Sequence, residues 1–175
     1  MRFAYADPPY LFKCGKHYGH RHDPPWGCWD DLGTHRQLIE HLRTEFPDGW
    51  ALSCASPDLR WLLPMCPDGV RVGAWVKPMC VYKKGVRPAY AWEPILYRGG
   101  RNTNPPVPEK GGEMITPKDW VSAPVEFRRG LVGAKPPQVC RAILDWLGYQ
   151  DGDELVDIFP GTNSMGKTKA QGVLI

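Results

Sequence analysis

The sequence of 175 residues lacks the features that mark a membrane or secreted protein. It contains no apolar run of about 18 residues, the length needed to cross a bilayer. Its first residues, MRFAYADPP, hold one basic residue and a short apolar run broken by Asp7 and Pro8, which is unlike a secretory signal. The six cysteines include no CxxC pair and no dense spacing, so we expect reduced thiols. These absences predict a cytoplasmic protein without a membrane partner.

A strong excess of one charge is also missing, because the net charge is only +3. A dedicated phosphate-binding protein is usually more basic, so the charge permits a nucleic-acid partner without requiring one. Gly and Pro are abundant instead, with 19 of each, and there are eight Trp. The length and the 42% hydrophobic content fit one globular domain over residues 1–175. We expect long ordered loops, which often carry binding groups, between its short elements.

Runs of strand composition alternate with amphipathic runs along the chain. The predicted strands are MRFAYA, WALSCAS, VRVGAWVK, WEPILYRG and the run that begins ELVDI. The predicted helices are HRQLIEHLRTEF, capped by Thr34, then SPDLRWLL, capped by Ser56, and KPPQVCRAILDWLG, ending at Gly148. This alternation predicts an α/β fold with a mainly parallel sheet and helices on both faces. Residues 11–33 and 99–130 are predicted to be long loops.

In such a sheet, ligands bind beyond the carboxyl ends of the strands. Two segments follow predicted strands there, Asp7-Pro8-Pro9-Tyr10 and residues 157–166. The first segment suits chemistry on an exocyclic amine, whose lone pair is delocalised into the ring of a nucleobase. A carboxylate and a backbone carbonyl that each accept an N–H can turn that lone pair toward an electrophile, and a tyrosine can stack on the base. Such a base must leave its duplex, or come from a single strand.

The second segment contains GTNSMGKT, which matches the spelling of a phosphate-binding P-loop from Gly161 to Thr168. A nucleotide-hydrolysing P-loop also needs a later strand with a carboxylate that holds magnesium. No such strand follows in this sequence, so the P-loop is the weaker interpretation.

The first loop concentrates five residues that are able to bind zinc: Cys14, His17, His20, His22 and Cys28. Their spacing matches no standard zinc finger, and the histidines equally suit phosphate or base contacts. We therefore predict no metal site. The loop also holds a second Asp-Pro-Pro stretch, at Asp23 to Trp26, which we interpret as a rigid bend that closes over the substrate.

Five segments in order resemble the motifs of amino-methyltransferases that use S-adenosylmethionine. They are ADPPY, GAWVKP, WEPILYRG, GAKPPQVCRAILDWLG and VDIFPGT. The order resembles the permuted arrangement, with the catalytic motif before the cofactor motif, of beta-type DNA adenine-N6 methyltransferases and of a branch that modifies adenine in RNA. The resemblance implies a Rossmann-like methyltransferase sheet of reduced size, with helices on both faces and long loops. It also implies S-adenosylmethionine as cofactor and DNA as partner.

The resemblance also assigns roles to single residues. Asp7, Pro8, Pro9 and Tyr10 would form the catalytic tetrapeptide, with Tyr10 on the face of the base. The cofactor contacts would come from Ala6, Asp7, Lys135, Pro136, Asp157, Phe159, Gly161, Thr162 and Asn163. Glu93 matches an acidic position common in its strand, which we interpret as structural. Further substrate contacts are assigned to His17, Asp23 and Trp26, which all lie in the loop 11–33. We expect this loop and the loop 99–130 to recognise the target.

The expected activity is methyl transfer from S-adenosylmethionine to N6 of adenine in DNA. The same chemistry fits N4 of cytosine in DNA and N6 of adenine in RNA. An alternative from another class is a catalytically silent nucleic-acid-binding relative that supports an active partner. A homodimer or a partner subunit is compatible with either interpretation.

Overall fold

The computed structural model describes residues 1–15, 22–23, 26–80, 84–101, 117–125, 134–161 and 163–170. Its strands are β1 (Arg2–Ala6), β2 (His22–Asp23), β3 (Gly27–Cys28), β4 (Gly49–Ser53), β5 (Arg71–Val76), β6 (Trp92–Gly99), β7 (Trp120–Ser122) and β8 (Glu154–Asp157). Its helices are α1 (Leu32–Glu45), α2 (Leu59–Leu62), α3 (Pro137–Leu147) and α4 (Ser164–Ala170), and 3₁₀ turns flank α2 at Ser56–Asp58 and Leu63–Met65.

The strand β1 lies inside the sheet and is buried on both faces. Its alternate side chains point to opposite sides, so that Phe3 and Tyr5 enter one apolar cluster and Ala4 and Ala6 enter the other. The first cluster is completed by the apolar stripe of α3, and the second by that of α1. The prediction of helices on both faces of the sheet is therefore confirmed.

The six-stranded sheet has the order β7-β5-β6-β4-β1-β8. The strand β1 is parallel to β4 and to β8, and β5 is parallel to β7. The strand β6, however, is antiparallel to both of its neighbours. The expectation of a mainly parallel sheet thus holds for three of the five pairings, and β6 is the exception. Its first residues consequently lie at the edge where β1, β4 and β8 end.

Several local predictions need correction. The helix α1 begins at Leu32 rather than after Thr34, which is buried in the first turn beside Gly27 and does not cap the helix. Ser56 lies inside a 3₁₀ turn whose capping position is Ala55.

The segment 99–130, predicted to be a loop, contains β7, whose three residues were too few to give a periodic signal. The segment 11–33 contains the antiparallel pair β2 and β3, and Asp23 of the second Asp-Pro-Pro stretch is the last residue of β2.

The helix α3 matches its prediction closely. It buries Val139, Ile143, Leu144 and Leu147 on one side, and Gly148 ends it with a φ of 61°, a left-handed conformation that glycine adopts without strain. No helix in the part of the chain that the structure describes combines the length and the apolar character needed to span a membrane.

The glycine at position 73 lets α3 pack closely on β5. A Cβ built on Gly73 would lie 2.5 Å from the indole ring of Trp146. That ring is held in place, because it stacks on Tyr97 with centroids 5.3 Å apart and donates a hydrogen bond of 2.8 Å to the carbonyl of Lys118. A side chain at position 73 must therefore displace either the ring or the strand.

We predict that Gly73→Ala lowers the free energy of unfolding by about 1 to 3 kcal/mol, because the methyl group overpacks this contact. Urea denaturation of the variant measures the loss. The same substitution in a Trp146→Leu background provides the control and is expected to cost less, since the ring is absent. An equal cost in both backgrounds would show that the ring does not cause the effect.

Candidate functional site

Charged side chains from distant parts of the sequence meet at one edge of the sheet. Asp7 directly follows β1, and Asp157 is the last residue of β8. Glu93 is the second residue of β6 and Lys77 directly follows β5. Lys135 comes to the same edge from the segment that leads into α3. The reversed direction of β6 is what brings Glu93 to this edge.

Asp7 and Lys135 form the centre of this cluster. The ammonium of Lys135 donates to both carboxylate oxygens of Asp7, each at 2.7 Å. The Lys135 side chain is only 5% exposed and that of Asp7 is 21% exposed. The two residues are 128 positions apart in the sequence, so the pair joins the end of β1 to the start of α3.

Glu93 and Tyr10 complete the shell around Lys135. The ammonium lies 3.2 Å from Oε1 of Glu93 and 3.2 Å from the hydroxyl of Tyr10. Tyr10 donates its hydroxyl proton to Oε1 of Glu93, and its oxygen lies 3.3 Å from Oδ1 of Asp7. A lysine ammonium has three protons, which the two oxygens of Asp7 and the hydroxyl of Tyr10 accept, and Glu93 adds an ionic contact. Glu93 also accepts a hydrogen bond of 2.7 Å from Lys77.

The cluster is electrically balanced, with two carboxylates and two ammonium groups. Buried charges are tolerated when they are paired and hydrogen-bonded, and both conditions hold here. Burial acts to raise the pKa of Glu93, but the ammonium groups of Lys135 and Lys77 outweigh it and hold that pKa at about 2. Burial likewise raises the pKa of Asp7, and Lys135 opposes this rise. Burial and the charges of Asp7 and Glu93 raise the pKa of Tyr10, which therefore stays a neutral donor.

Asp157 lies beside this cluster on the neighbouring strand, because Tyr5 of β1 pairs with Asp157 of β8. Its carboxylate accepts a hydrogen bond of 3.3 Å from the backbone N–H of Phe159. Burial, reinforced by the nearby charge of Asp7, raises the pKa of Asp157 to about 6, although the bond from Phe159 opposes the rise. Asp157 is thus a half-buried carboxylate that has no lysine of its own at salt-bridge distance among the described residues.

The turn after Asp157 exposes backbone on the same edge. Phe159 packs edge-on against Trp29, with centroids 5.1 Å apart, which anchors the start of the turn. Gly161 and Asn163 are both exposed and have positive φ values of 38° and 55°. A Cβ on Gly166 would collide with the side chain of Asn163, so the turn packs closely on the first residues of α4.

The structure brings together most of the predicted site residues. Ala6, Asp7, Pro8, Pro9 and Tyr10 form the end of β1 and the turn after it, Lys135 contacts that turn, and Pro136 follows Lys135 at the capping position of α3. Trp26 packs against Trp29 and His41, with centroids 6.2 and 5.1 Å away, so its assigned contact with substrate stays a prediction.

His17 and Thr162 lie outside the described residues, as does the side chain of Asp23. Three of the five Cys and His residues, His17, His20 and the side chain of His22, also lie outside the described residues. The prediction of no metal therefore stays a prediction.

The P-loop interpretation is not favoured by the local geometry. In that motif the threonine hydroxyl is a magnesium ligand at the start of a helix. Here Thr168 lies inside α4, is 3% exposed and donates its hydroxyl to the backbone carbonyl of Ser164 at 2.9 Å. Its hydroxyl is therefore engaged within the helix.

The sequence analysis missed or undervalued two charged residues of the cluster, Lys77 and Glu93. Lys77 was given no role, although it is the last residue of the predicted strand VRVGAWVK. Glu93 was interpreted as structural, but it binds Tyr10, Lys77 and Lys135 directly. The available signal was the single carboxylate in the otherwise apolar WEPILY, because a buried charge requires a partner.

Comparison with solved structures places the fold. The chain superimposes on the crystal structure of the M1.HpyAVI-SAM complex with a TM-score of 0.59 and 14% sequence identity, over 97% of this chain and 77% of that chain. A crystal structure of M1.HpyAVI gives a TM-score of 0.54 at 14% identity, over 97% and 75% of the two chains. No protein-family model and no curated protein matches the sequence. The fold is a mixed α/β fold of the methyltransferase-like type.

We predict that Lys135→Met lowers the free energy of unfolding by about 3 to 5 kcal/mol, because it leaves two buried carboxylates without their shared cation. The pKa values of Asp7 and Glu93 would rise in the folded variant, so their ionisation would oppose folding as pH increases. The loss should therefore be larger at pH 7 than at pH 4.5 when urea denaturation is compared at both.

Lys77→Met is the matched control. In that variant Glu93 keeps its ion pair with Lys135, so the loss of unfolding free energy should be smaller. Equal costs for the two variants would contradict the central role of Lys135.

Proposed function

We propose that this protein is a methyltransferase that uses S-adenosylmethionine and modifies N6 of adenine in DNA. The observation that carries the proposal is the arrangement at the end of β1. There a partly buried carboxylate, Asp7, is fixed by Lys135 and followed by two prolines and Tyr10, at the edge where a sheet of this type binds ligands. This arrangement presents the acceptors that chemistry on an exocyclic amine requires.

The structural neighbours support the same function. One of them, M1.HpyAVI, is a complex with SAM, the methyl donor of the proposed reaction. At 14% identity this likeness concerns the fold, so the activity and the permuted motif order are inferences from the residues of this chain.

The proposed roles follow from the geometry of the turn. Asp7 accepts one N–H of the adenine amine, and the backbone carbonyl of Pro8 accepts the other. The nitrogen lone pair would then point out of the plane of the ring toward the methyl group, and as it bonds to the methyl carbon the carbon–sulfur bond of the sulfonium would break and leave a neutral thioether. The amine gains a positive charge in this step and afterwards loses one proton, which Asp7 receives or passes to water. Tyr10 is fixed by Glu93 and offers its ring to the face of the base.

Lys135 has a precise electrostatic task in this proposal. Burial raises the pKa of Asp7, and a protonated Asp7 would lose an acceptor. The ammonium of Lys135 favours the ionised form while leaving lone pairs of both carboxylate oxygens for an incoming N–H. Asp7 can thus act as an acceptor at neutral pH in a site that is mostly shielded from water.

The residues at the edge also fit the cofactor. S-adenosylmethionine supplies a methyl group activated by a sulfonium charge and carries an ammonium group. Because the Asp7, Glu93, Lys77 and Lys135 cluster is balanced, Asp157 gives this edge a net negative charge once it is ionised. The exposed backbone at Gly161 and Asn163 lets a ligand approach closely. We propose that Asp157 and this turn hold the methionine portion, together with Ala6, Phe159 and Pro136.

Asp7→Ala is expected to lower the rate of methyl transfer at least about 100-fold, since an acceptor at the reacting amine is lost. The measurement is mass spectrometry of digested nucleosides after incubation with DNA, which also reports N4-methylcytosine. A parallel reaction with RNA tests the other substrate. Asp23→Ala, in the second Asp-Pro-Pro stretch, is the matched control and should weaken substrate binding more than it slows transfer. Full activity of the Asp7 variant would refute the proposal.

The raised pKa of Asp157 makes cofactor binding dependent on pH. A cation binds the ionised carboxylate better, so affinity should fall as pH decreases through about 6. Between pH 7 and pH 5 we expect the Kd for S-adenosylmethionine to rise about tenfold by calorimetric titration. Asp157→Asn should bind more weakly at pH 7 and show a flatter dependence. A wild-type Kd that does not change over this range would argue against contact between Asp157 and the cofactor.

A further inference from the structure

A groove opens beside the charged cluster and belongs to neither the proposed amine site nor the turn after β8. Its volume is about 410 Å³, which is within the range of small-ligand sites. Ser56, just beyond β4, forms one wall, and the segment 85–90 together with Trp92 forms the other. Trp92 directly precedes Glu93, which binds Tyr10, so the groove and the proposed site share the start of β6.

Two aromatic side chains that line the groove are exposed. Tyr90 is 46% exposed and Trp92 is 39% exposed, although large aromatic side chains are normally buried. Both also line the groove. Flat exposed rings of this kind are the platforms on which unpaired bases stack.

Two cations lie in or beside the groove, and the buried carboxylate of Asp58 lies near one of them, Lys13. Arg87 lies in its wall, and the ammonium of Lys13 lies 5.9 Å from the centre of the Tyr90 ring. Lys13 also donates its backbone N–H to the carbonyl of Tyr10 at 3.1 Å, which ties this cation to the proposed catalytic turn. From Arg71 to Trp92 the sequence has five basic residues and no acidic one. The groove therefore offers cations for phosphates beside rings for bases.

We propose that this groove binds the nucleotide next to the target in single-stranded DNA, with Tyr90 stacking on its base and Arg87 and Lys13 contacting the backbone. The proposal rests on the proposed function, and it specifies the substrate as single-stranded or locally opened DNA. A paired duplex cannot present separate bases to the rings, whereas a strand that delivers an unstacked adenine to Asp7 already has unstacked neighbours. It also adds the segment 84–92 to the loops 11–33 and 99–130 as a recognition element.

The test is binding without cofactor, measured by fluorescence anisotropy of labelled oligonucleotides of one adenine-containing sequence. Single-stranded DNA should bind at least about tenfold more tightly than the duplex. Tyr90→Ala should weaken single-strand binding about 5- to 100-fold, as expected for the loss of one stacking platform, while Tyr90→Phe keeps the ring and should stay near wild type. Arg87→Gln should reduce the slope of log affinity against log salt by about one contact.

Trp120→Ala is the matched control. Trp120 is also 46% exposed and has the ammonium of Lys118 5.1 Å from its ring centre, but it lies on the edge strand β7. The Trp120→Ala variant should bind DNA like the wild type. A loss with Trp120→Ala equal to that with Tyr90→Ala, unchanged binding by Tyr90→Ala, tighter duplex binding, or tighter binding of the RNA strand of the same sequence would each overturn the assignment.

The two proposals fail in distinguishable ways. If nucleoside analysis finds no methylated base but Tyr90→Ala still loses single-strand binding, the groove assignment stands and the methyltransferase proposal fails. If methyl transfer occurs but Tyr90→Ala binds normally, the groove assignment fails alone. Thermal melting of the Tyr90 variants confirms that folding is preserved, as expected for a side chain exposed to this extent.

Discussion

The ion pair between Asp7 and Lys135 is the constraint on which the rest of the site depends. It joins residues 128 positions apart and fixes the carboxylate at the end of β1 against the segment that enters α3. Because Lys135 is almost completely buried, its position is feasible only if several acceptors surround it. That requirement determines the orientation of Tyr10 and Glu93 as well as that of Asp7. The same contact therefore serves folding and the proposed chemistry.

The reversed strand β6 makes this cluster possible. In a fully parallel sheet, the beginning of β6 would lie at the edge opposite to the end of β1, and Glu93 would be far from Lys135. Antiparallel pairing with β4 and β5 places the start of β6 beside the end of β4, and Trp75 of β5 opposite Glu93. Lys77, two residues later, then reaches the second oxygen of Glu93. The direction of a single strand thus supplies one carboxylate and its second cation.

This dependence explains which features were predictable from the sequence. Strong local signals were sufficient for the end of β1, where two prolines stop a buried strand, and for α3, where apolar periodicity and Gly148 mark the stripe and the end. Strand direction has no comparable local signal, so the position of Glu93 and the role of Lys77 became clear only in the folded sheet. Thr34 was misplaced because its burial beside Gly27, a tertiary contact, outweighs its capping preference. The three residues of β7 pair with β5 through the same kind of distant contact.

The distribution of charge at the edge separates two binding tasks. The central cluster is neutral, so its field extends only a short distance and can be buried at acceptable cost. On the side of β8, Asp157 remains as an extra negative charge that favours a cation. On the side of β6, Arg87 and Lys13 lie beside exposed rings and favour a phosphate backbone. A cationic sulfonium cofactor that approached from the side of Asp157, and an anionic nucleic acid that approached from the side of Arg87 and Lys13, would each meet charge of the opposite sign. Because Asp7 lies between the two regions, a methyl donor held on the side of β8 and an amine delivered from the side of β6 would meet beside one carboxylate.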